Sequence, residues 1–483
     1  MAPDPPSLLE RWSLPILVAL ALVAYAPVLG LSFFGDDFHV LYRLGADRDL
    51  GTGSFFRPLP DWTHALTWRL GFAEPWAFRV VNVALLGLNG WLVVQLTRSL
   101  LGKALPGGQA PWIAGALFVL YPHHLEPQLW IVGRGSAMAT TFILAALVIA
   151  RSAAAPRWRI IGVAISGTLG GLCYESALLL ALLLAVLRPA TPGAERPFLK
   201  RLVAVAAATA ALNLAIRLFF TGGVANEYGA AFFMRPWHHY PASAAKAAVR
   251  LCLPPAADEG ALPVLAVALG IGLLAAASLI AHGLRARPAL RGPVRSLLAL
   301  LAIAMIIPAV AGVSTRTCES DRFLYLPSAF LCVLLAIAVS LVRPGRMRLL
   351  AASALLSICC ILLWRGFRPW FSASSTVHRV LLDLQGASAP GTTYVVGLPG
   401  DIKGAYVFRR GFEAALLMNG LDTARIQRRG PVLEVRNGHE EARCDLVDQA
   451  DGSLLLTDTD TTFLRPADAA WAWRAWQFEQ VWP

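Results

Sequence analysis

Long apolar segments alternate with short polar loops along the chain as far as residue 364. A helix needs about 20 mainly apolar residues to cross a bilayer, and the pattern predicts about eleven membrane-spanning helices. The segments lie at residues 14–34, 78–98, 112–122, 130–150, 160–174, 176–187, 202–220, 262–283, 296–313, 323–342 and 349–364. We therefore expect a mainly α, polytopic helical bundle in residues 1–364, followed by a separate domain in residues 365–483.

Two stretches predict hairpins of short helices. Residues 160–188 are too short for two full crossings, yet arginine-rich loops lie at both of their ends, so the number of crossings between them must be even. This pattern predicts a hairpin with Glu175 at its tip. The same argument makes residues 112–150 a hairpin that turns at residues 123–126. Short helices tilt or thin the bilayer at a modest cost in free energy.

Composition supports a membrane protein, because 57% of the residues are hydrophobic and 15% are charged, against about 25% charged in soluble domains. The net charge is +12, but the arginines lie in short loops between apolar segments, as the positive-inside rule describes. No exposed basic domain or stacking platform for bases is visible, so we expect no nucleic-acid partner. With the basic loops in the cytoplasm, residues 35–77 form the first outer loop.

The same charge pattern predicts a cytoplasmic N-terminus and an extracytoplasmic C-terminus. Acidic residues rather than a small-residue cleavage site follow the first apolar segment, which predicts a retained helix rather than a signal peptide. Four of the 42 basic side chains are lysines, a bias that favours a bacterial source. We expect a multi-pass protein of the bacterial inner (plasma) membrane.

Residues 365–483 have the pattern of a small extracytoplasmic α+β domain. Short strands are predicted at residues 392–398, 432–435 and 453–457, and a helix at residues 405–418. The segment 470–482 is rich in tryptophan. It fits a helix at the membrane interface, where indole rings are enriched, and equally a helix packed on the domain.

The ionisable side chains that stand out fall at one end of the predicted helices, the end assigned to the extracytoplasmic face. Charged groups inside a bilayer are costly and frequently mark a functional site. Carboxylates and arginines drawn from separate segments suit an amphiphilic substrate with an anionic headgroup at the interface and a lipid tail in the bilayer. The residues singled out are Asp36, Asp37, Arg57, His124, Glu126, Arg134, Glu175, Asp321 and Arg322.

The Asp36–Asp37 pair directly follows the first apolar segment. One of these carboxylates could act as a general base, because partial burial raises its basicity; a helix cap is the other interpretation. Arg57, in the first outer loop, suits a lipid headgroup or a snorkelling side chain. Arg134 lies inside an apolar segment, where an arginine costs about 2.5–3.5 kcal/mol, so it must face protein, water or an anion.

Other polar groups leave two interpretations open. Glu175 is either a functional carboxylate or one satisfied by a nearby arginine. Asp321 and Arg322 are adjacent, so they form an ion pair or lie in a substrate site, where Arg322 is a natural phosphate ligand. His124 and Glu126 could contribute to a metal site, although no HExxH or comparable spacing supports one. We expect no cofactor; a divalent metal is compatible with the site but not required.

In this order, these residues resemble the GT-C superfamily of polyprenyl-phosphate-sugar-dependent glycosyltransferases, above all its protein O-mannosyltransferase-like group. Each matching piece is short, and the ordered set is the specific signal; it covers residues 14–365. The pieces are Asp36-Asp37, Arg57-Pro58-Leu59, Asn82, Pro122-x-His124-x-Glu126, Gly133-Arg134, Glu175 and the run at residues 321–328.

Some positions depart from that group. It has histidine where Arg79, Leu86 and Tyr121 stand here, and lysine where Tyr174 stands, while Asp321 replaces a glutamate. The C-terminal TPR repeats of the eukaryotic members are absent, and residues 365–483 take their place. The donor sugar and the acceptor therefore do not carry over.

The resemblance implies an inverting hexosyltransferase that takes sugar from a polyprenyl-phosphate donor, with membrane lipid and an unidentified acceptor as its other partners. Asp36 or Asp37 would activate an acceptor hydroxyl, which attacks the anomeric carbon opposite the lipid phosphate. Arg134 and Arg322 would hold the phosphate and stabilise its charge as it leaves. The remaining groups, which would orient acceptor, sugar or arginines, are His124, Glu126 and Glu175.

Two other functions would use a similar arrangement of membrane-spanning helices. A polysaccharide polymerase or ligase would take a diphosphate-linked donor and does not need an early aspartate pair. A lipid or sugar transporter (a flippase) would place charges at the bilayer midplane and interrupt helices in two matching halves. The charges here fall at helix ends and no half-repeat is visible, which favours the glycosyltransferase.

Overall fold

The computed structural model describes residues 8–50, 56–102, 104–105, 108–189, 195–222, 235–255, 262–386, 393–395, 398–428, 445–448, 454–457 and 462–465. Its α-helices are α1 (Leu8–Arg11), α2 (Ser13–Tyr25), α3 (Asp36–Gly45), α4 (Pro58–Arg69), α5 (Pro75–Leu101), α6 (Gln109–Val119), α7 (Leu125–Leu129), α8 (Arg134–Ala150), α9 (Pro156–Gly171), α10 (Leu180–Val186), α11 (Arg196–Thr221), α12 (His239–Cys252), α13 (Leu262–Ala286), α14 (Arg291–Ala304), α15 (Ile306–Ala311), α16 (Tyr325–Leu341), α17 (Gly345–Gly366), α18 (Arg368–Gly386) and α19 (Phe412–Met418). Short 3₁₀ turns lie at Ala26–Val28, Ile131–Gly133, Glu175–Leu179, Pro288–Leu290 and Asp321–Leu324.

Seven helical segments among the described residues are long and apolar enough to cross a membrane, and shorter apolar helices lie at Ser13–Val28, Gln109–Val119 and Glu175–Val186. Each of the eleven predicted segments contains a helix, so the polytopic helical bundle is confirmed. In the hairpin of residues 160–188, α9 ends at Gly171 and the Glu175–Leu179 turn leads into α10. The turn of the earlier hairpin is longer than predicted, because it holds the whole of α7.

Helix α5 lies at the centre of the bundle and packs against α2, α6 and α8. The approach of α2 to α5 is close at Gly87, where an added Cβ atom would lie 2.5 Å from the Cα of Val18. Small residues allow such approach in membranes, where helix association depends on van der Waals packing. Helix α16 packs on α6 from the other side and continues the bundle toward α13 and α14.

The C-terminal part begins with α18, directly after the last membrane-spanning helix. The short strands pair as parallel β1 (Thr393–Val395) with β4 (Ile426–Arg428), antiparallel β2 (Asp401–Ile402) with β3 (Ala405–Tyr406), and antiparallel β5 (Asp445–Asp448), β6 (Leu454–Thr457) and β7 (Thr462–Arg465). Strands β1 and β6 fall within predicted strands. The predictions at residues 432–435 and 470–482 lie outside the described residues.

The helix predicted at residues 405–418 is wrong in its first half. Residues 405–406 form β3, with Asp401 opposite Tyr406 in the register, and the helix is α19, which starts at Phe412. Gly411 precedes it with φ of 84°, a left-handed conformation that suits glycine. The β2–β3 hairpin forms despite the local helix propensity, because it packs against α18 and the loops of the bundle.

His124 ties the turn after α6 to α16. The Nε2 atom lies 2.7 Å from the Oγ of Ser328, and that hydroxyl donates to the carbonyl of Tyr325 at 2.8 Å. The histidine must therefore donate from Nε2, which fixes its neutral tautomer. The ring is fully buried beside Phe118, and burial lowers the pKa of His124 to about 3.

The buried His124 predicts a pH-dependent stability difference. An unfolded histidine has a pKa of about 6.5, so below that pH the unfolded state binds a proton that the folded state excludes, and wild-type stability falls. His124→Gln keeps a donor for Ser328 but does not titrate. The melting temperature of the detergent-solubilised wild type should exceed that of the variant most at pH 7.5, and the gap should narrow toward pH 5. A constant gap over this range would contradict the assignment.

Candidate functional site

The polar residues singled out from the sequence lie at one end of the bundle, where α3, α4 and α7 meet the turns at Glu175–Leu179 and Asp321–Leu324. We call this the polar end. The strand β3 also reaches it, because the backbone N–H of Gly35 donates to the carbonyl of Val407 at 2.9 Å. Segments separated by hundreds of residues therefore meet around the Asp36–Asp37 pair.

Glu126 and Arg322 form a salt bridge at the polar end. The carboxylate is fully buried, and it also accepts from the backbone N–H of Arg322 at 2.8 Å and from the hydroxyl of Tyr406 at 2.8 Å. The Arg322 guanidinium donates from Nη1 to Tyr406 and from Nε to Tyr174, both at 3.2 Å. Its Nη2 atom has no acceptor among the residues that the structure describes.

A second cluster surrounds Glu175. Its carboxylate accepts from Arg217 at 2.9 Å and from Arg57 at 3.3 Å. The Arg57 guanidinium also lies over the ring of Tyr174, 4.3 Å from its centroid. Because Tyr174 contacts Arg322 through its hydroxyl, the two clusters are continuous. Two guanidinium groups thus share one carboxylate, and the Glu175 side chain is 30% exposed.

Asp36 and Asp37 have different environments at the start of α3. Asp37 is fully buried, and its two oxygens accept from the backbone N–H of Phe34 at 3.1 Å and of Val132 at 3.0 Å. Burial raises the pKa of Asp37 to about 7, despite these hydrogen bonds and nearby Arg79. Asp36 is half-buried, and within the described ranges its carboxylate accepts no hydrogen bond. Of the two, Asp36 can accept a proton from a substrate.

Two arginines hold the backbone around this pair from inside the bundle. Arg79 is fully buried and donates to the carbonyls of residues 29, 31, 32 and 129. Arg134 is also fully buried and starts α8 rather than lying at mid-helix. It donates to Asn82 at 2.6 Å, to Thr63 at 2.9 Å and to the carbonyl of Phe78 at 3.0 Å. Both guanidinium groups are therefore satisfied by protein oxygens.

Asp321 and Arg322 do not pair with each other. The residues of a 3₁₀ turn point about 120° apart, and Asp321 instead accepts from Arg250 at 2.6 Å, with both side chains buried. Arg250 also lies 2.6 Å from the Nδ1 atom of His123. Burial and nearby Arg250 lower the pKa of His123, so its ring is neutral and accepts from Arg250. The contacts of Arg250 with Asp321 and His123 hold α12 against the turn at Asp321–Leu324.

No group of three or more His, Cys, Asp or Glu side chains in the described ranges could hold a metal ion. His124 points away from Glu126 toward Ser328, so the two do not form the metal pair considered from the sequence.

Burial raises the pKa of Tyr406, so its hydroxyl stays protonated and donates to Glu126.

The structure adds two site residues that the sequence analysis did not single out. Arg217 lies near the end of the apolar helix α11, and a charge inside such a segment is a signal that could have identified it. Tyr406 carries no such signal, because it lies in the C-terminal part and reaches the site only through the β2–β3 hairpin.

The chain is similar to known proteins in part of its sequence and in its fold. No family model matches the chain. A stretch of 98 residues, 20% of the chain, is 32% identical to protein O-mannosyl-transferase TMTC2 of Mus musculus, and 186 residues, 34% of the chain, are 31% identical to protein O-mannosyl-transferase Tmtc1 of Drosophila melanogaster. The matches cover 11% and 21% of these relatives, so the chain spans far less than two thirds of their length.

The whole fold resembles that of ArnT from Cupriavidus metallidurans in the apo state. The TM-score is 0.51 at 12% sequence identity, over 87% of this chain and 90% of that chain. Together with the sequence matches, this confirms the resemblance predicted from the ordered motifs. The chain is therefore a multi-pass membrane protein with the GT-C fold, homologous over the matched residues to protein O-mannosyl-transferases.

Proposed function

We propose that this chain is an inverting membrane glycosyltransferase that transfers a sugar from a polyprenyl-phosphate donor to an acceptor hydroxyl. One observation carries the proposal: Asp36 is a half-buried carboxylate without a hydrogen-bond partner among the described residues, and two arginines that share the carboxylate of Glu175 lie at the same end of the bundle. A base and an anion site at one end of a membrane bundle are the two parts that such a transfer needs.

Asp36 is the general base in this proposal. Its carboxylate takes the proton of the acceptor hydroxyl, and the oxygen attacks the anomeric carbon on the face opposite the phosphate. The bond from the anomeric carbon to the phosphate oxygen breaks, and its electron pair leaves with the polyprenyl phosphate. Asp37 has both oxygens bound by backbone N–H groups, so its role is to hold the start of α3.

The phosphate lies, in this proposal, between Arg322 and the Glu175 cluster. Arg322 offers its Nη2 atom, and Arg57 and Arg217 bring positive charge that stabilises the leaving group. Arg134 has three protein acceptors, which favours a supporting role over direct phosphate contact. A phosphate monoester is a fair leaving group, so the chemistry requires no metal.

The remaining predicted site residues support this arrangement. Glu126 holds Arg322, and Asp321 holds Arg250. His124 fixes the turn that carries Glu126.

The polar end faces the extracytoplasmic side of a bacterial inner membrane in this proposal, because the arginine-rich loops lie at the other ends of the helices.

Substitution of the two aspartates should separate catalysis from stability. Asp36→Asn removes the base, so transfer should fall about 100-fold or more, with the melting temperature unchanged. Asp37→Asn places an amide N–H against a backbone N–H in a buried site, which costs about 1–3 kcal/mol, so the melting temperature should fall. Transfer is measured as recovery of the surface glycan or glycolipid profile of a deletion strain, by mass spectrometry. Full recovery by Asp36→Asn would remove the base assignment.

Arg57 should contribute to phosphate binding without being needed for folding, because Glu175 keeps Arg217 as its partner. Arg57→Gln should weaken binding of undecaprenyl phosphate about five- to tenfold, the loss of one charge-assisted hydrogen bond. The matched control is Arg98→Gln, which removes the same charge from the pair with Glu10 at the other end of the bundle. Equal weakening by both variants would show a general charge effect rather than a site.

The orientation of the bundle has a direct test. A reporter enzyme that is active only outside the cytoplasm, fused after Pro483, should be active, and the same reporter fused in the loop at residues 343–345 should be inactive. Activity at the second position would place the basic loops outside and reverse the assignment of the polar end.

A further inference from the structure

Tyr406 is an unusual member of the polar end, because it belongs to the C-terminal part rather than to the membrane helices. It lies in β3, and its ring is packed between Trp130, at 5.0 Å between centroids, and Trp370, at 6.4 Å. The side chain is buried, and its hydroxyl meets charged groups. That hydroxyl lies within hydrogen-bond distance of both Glu126 and Arg322.

The phenol completes a set of contacts that immobilises one edge of the Arg322 guanidinium. Nη1 is bound by Glu126 and by the Tyr406 oxygen, and Nε is bound by the Tyr174 oxygen. A guanidinium is planar, so fixing Nε and Nη1 fixes the direction of Nη2 as well. Nη2 is the nitrogen left without an acceptor among the described residues, and the Arg322 side chain is 20% exposed.

Backbone contacts set the position of Tyr406. Beside the bond from Gly35 to Val407, the N–H of Cys318 donates to the carbonyl of Lys403 at 3.2 Å. At Gly404, where φ is 87°, an added Cβ atom would lie 2.7 Å from the backbone nitrogen of Glu319. The hairpin is therefore in direct contact with the loop that carries Asp321 and Arg322, on one side, and with the start of α3 on the other.

We propose that Tyr406 is a positioning residue for the transfer reaction, which acts by holding Arg322 with Nη2 directed to the phosphate of the donor. The C-terminal part thereby completes the substrate site of the membrane bundle. This inference rests on the proposed function, since it assigns the phosphate to Arg322. A purely structural role would be different: the hydroxyl would only satisfy the buried Glu126, and its loss would change stability but not phosphate binding.

The test measures binding of undecaprenyl phosphate to the full chain in lipid nanodiscs, by native mass spectrometry. Tyr406→Phe removes only the hydroxyl, and it should weaken binding about five- to tenfold, the effect of one hydrogen bond to a charged group. The matched control is Tyr42→Phe on α3, whose hydroxyl makes no hydrogen bond within the described residues. It should bind as the wild type does.

A double-mutant cycle shows whether Tyr406 acts through Arg322. Arg322→Lys keeps a positive charge beside Glu126 but loses the planar guanidinium, so adding Tyr406→Phe to it should weaken binding less than about twofold. Equal effects of Tyr406→Phe in both backgrounds, or wild-type binding by Tyr406→Phe alone, would overturn the inference while leaving the proposed function intact. A wild-type chain that does not bind undecaprenyl phosphate would overturn both.

Discussion

The polar end depends on the buried ion pair between Glu126 and Arg322. A carboxylate inside an apolar bundle is costly unless it is paired and hydrogen-bonded, and Glu126 accepts three hydrogen bonds, from the backbone and side chain of Arg322 and from Tyr406. Glu126 lies in α7, and its partners come from the turn before α16 and from β3. Removal of any one of them leaves a buried charge unsatisfied, so the pair fixes the relative positions of three distant segments.

The same constraint explains why the polar residues divide into two kinds. Arg79, Arg134 and Asp37 are fully buried and bound to protein groups, so they hold backbone in place and have little left to offer a substrate. Asp36 and the Nη2 atom of Arg322, by contrast, keep hydrogen-bonding capacity at the polar end that no described residue uses. A transferase needs both kinds, because a base and a phosphate ligand work only when their supports do not move.

Part of this site could be predicted from single residues. Glu175 at the tip of a short hairpin followed from the flanking basic loops, and the general location of Arg322 followed from its place after an apolar segment. Their partners did not follow. Asp321 pairs with Arg250 rather than with its neighbour in sequence, because adjacent residues of a 3₁₀ turn point in different directions. Tyr406 was assigned to a predicted helix, since local pattern does not reveal a two-residue strand.

The amino-acid sequence by itself determined the membrane class, the helices and the end of the bundle at which charges gather. These depend on hydropathy and on loop charge, which act over about 20 residues and can be read along the chain. The tertiary structure decided which aspartate keeps a free carboxylate, which arginines are already satisfied and which residue of the C-terminal part enters the site. Those outcomes depend on burial and on hydrogen-bond partners from segments far apart in sequence, and only the packing of the whole chain brings them into contact.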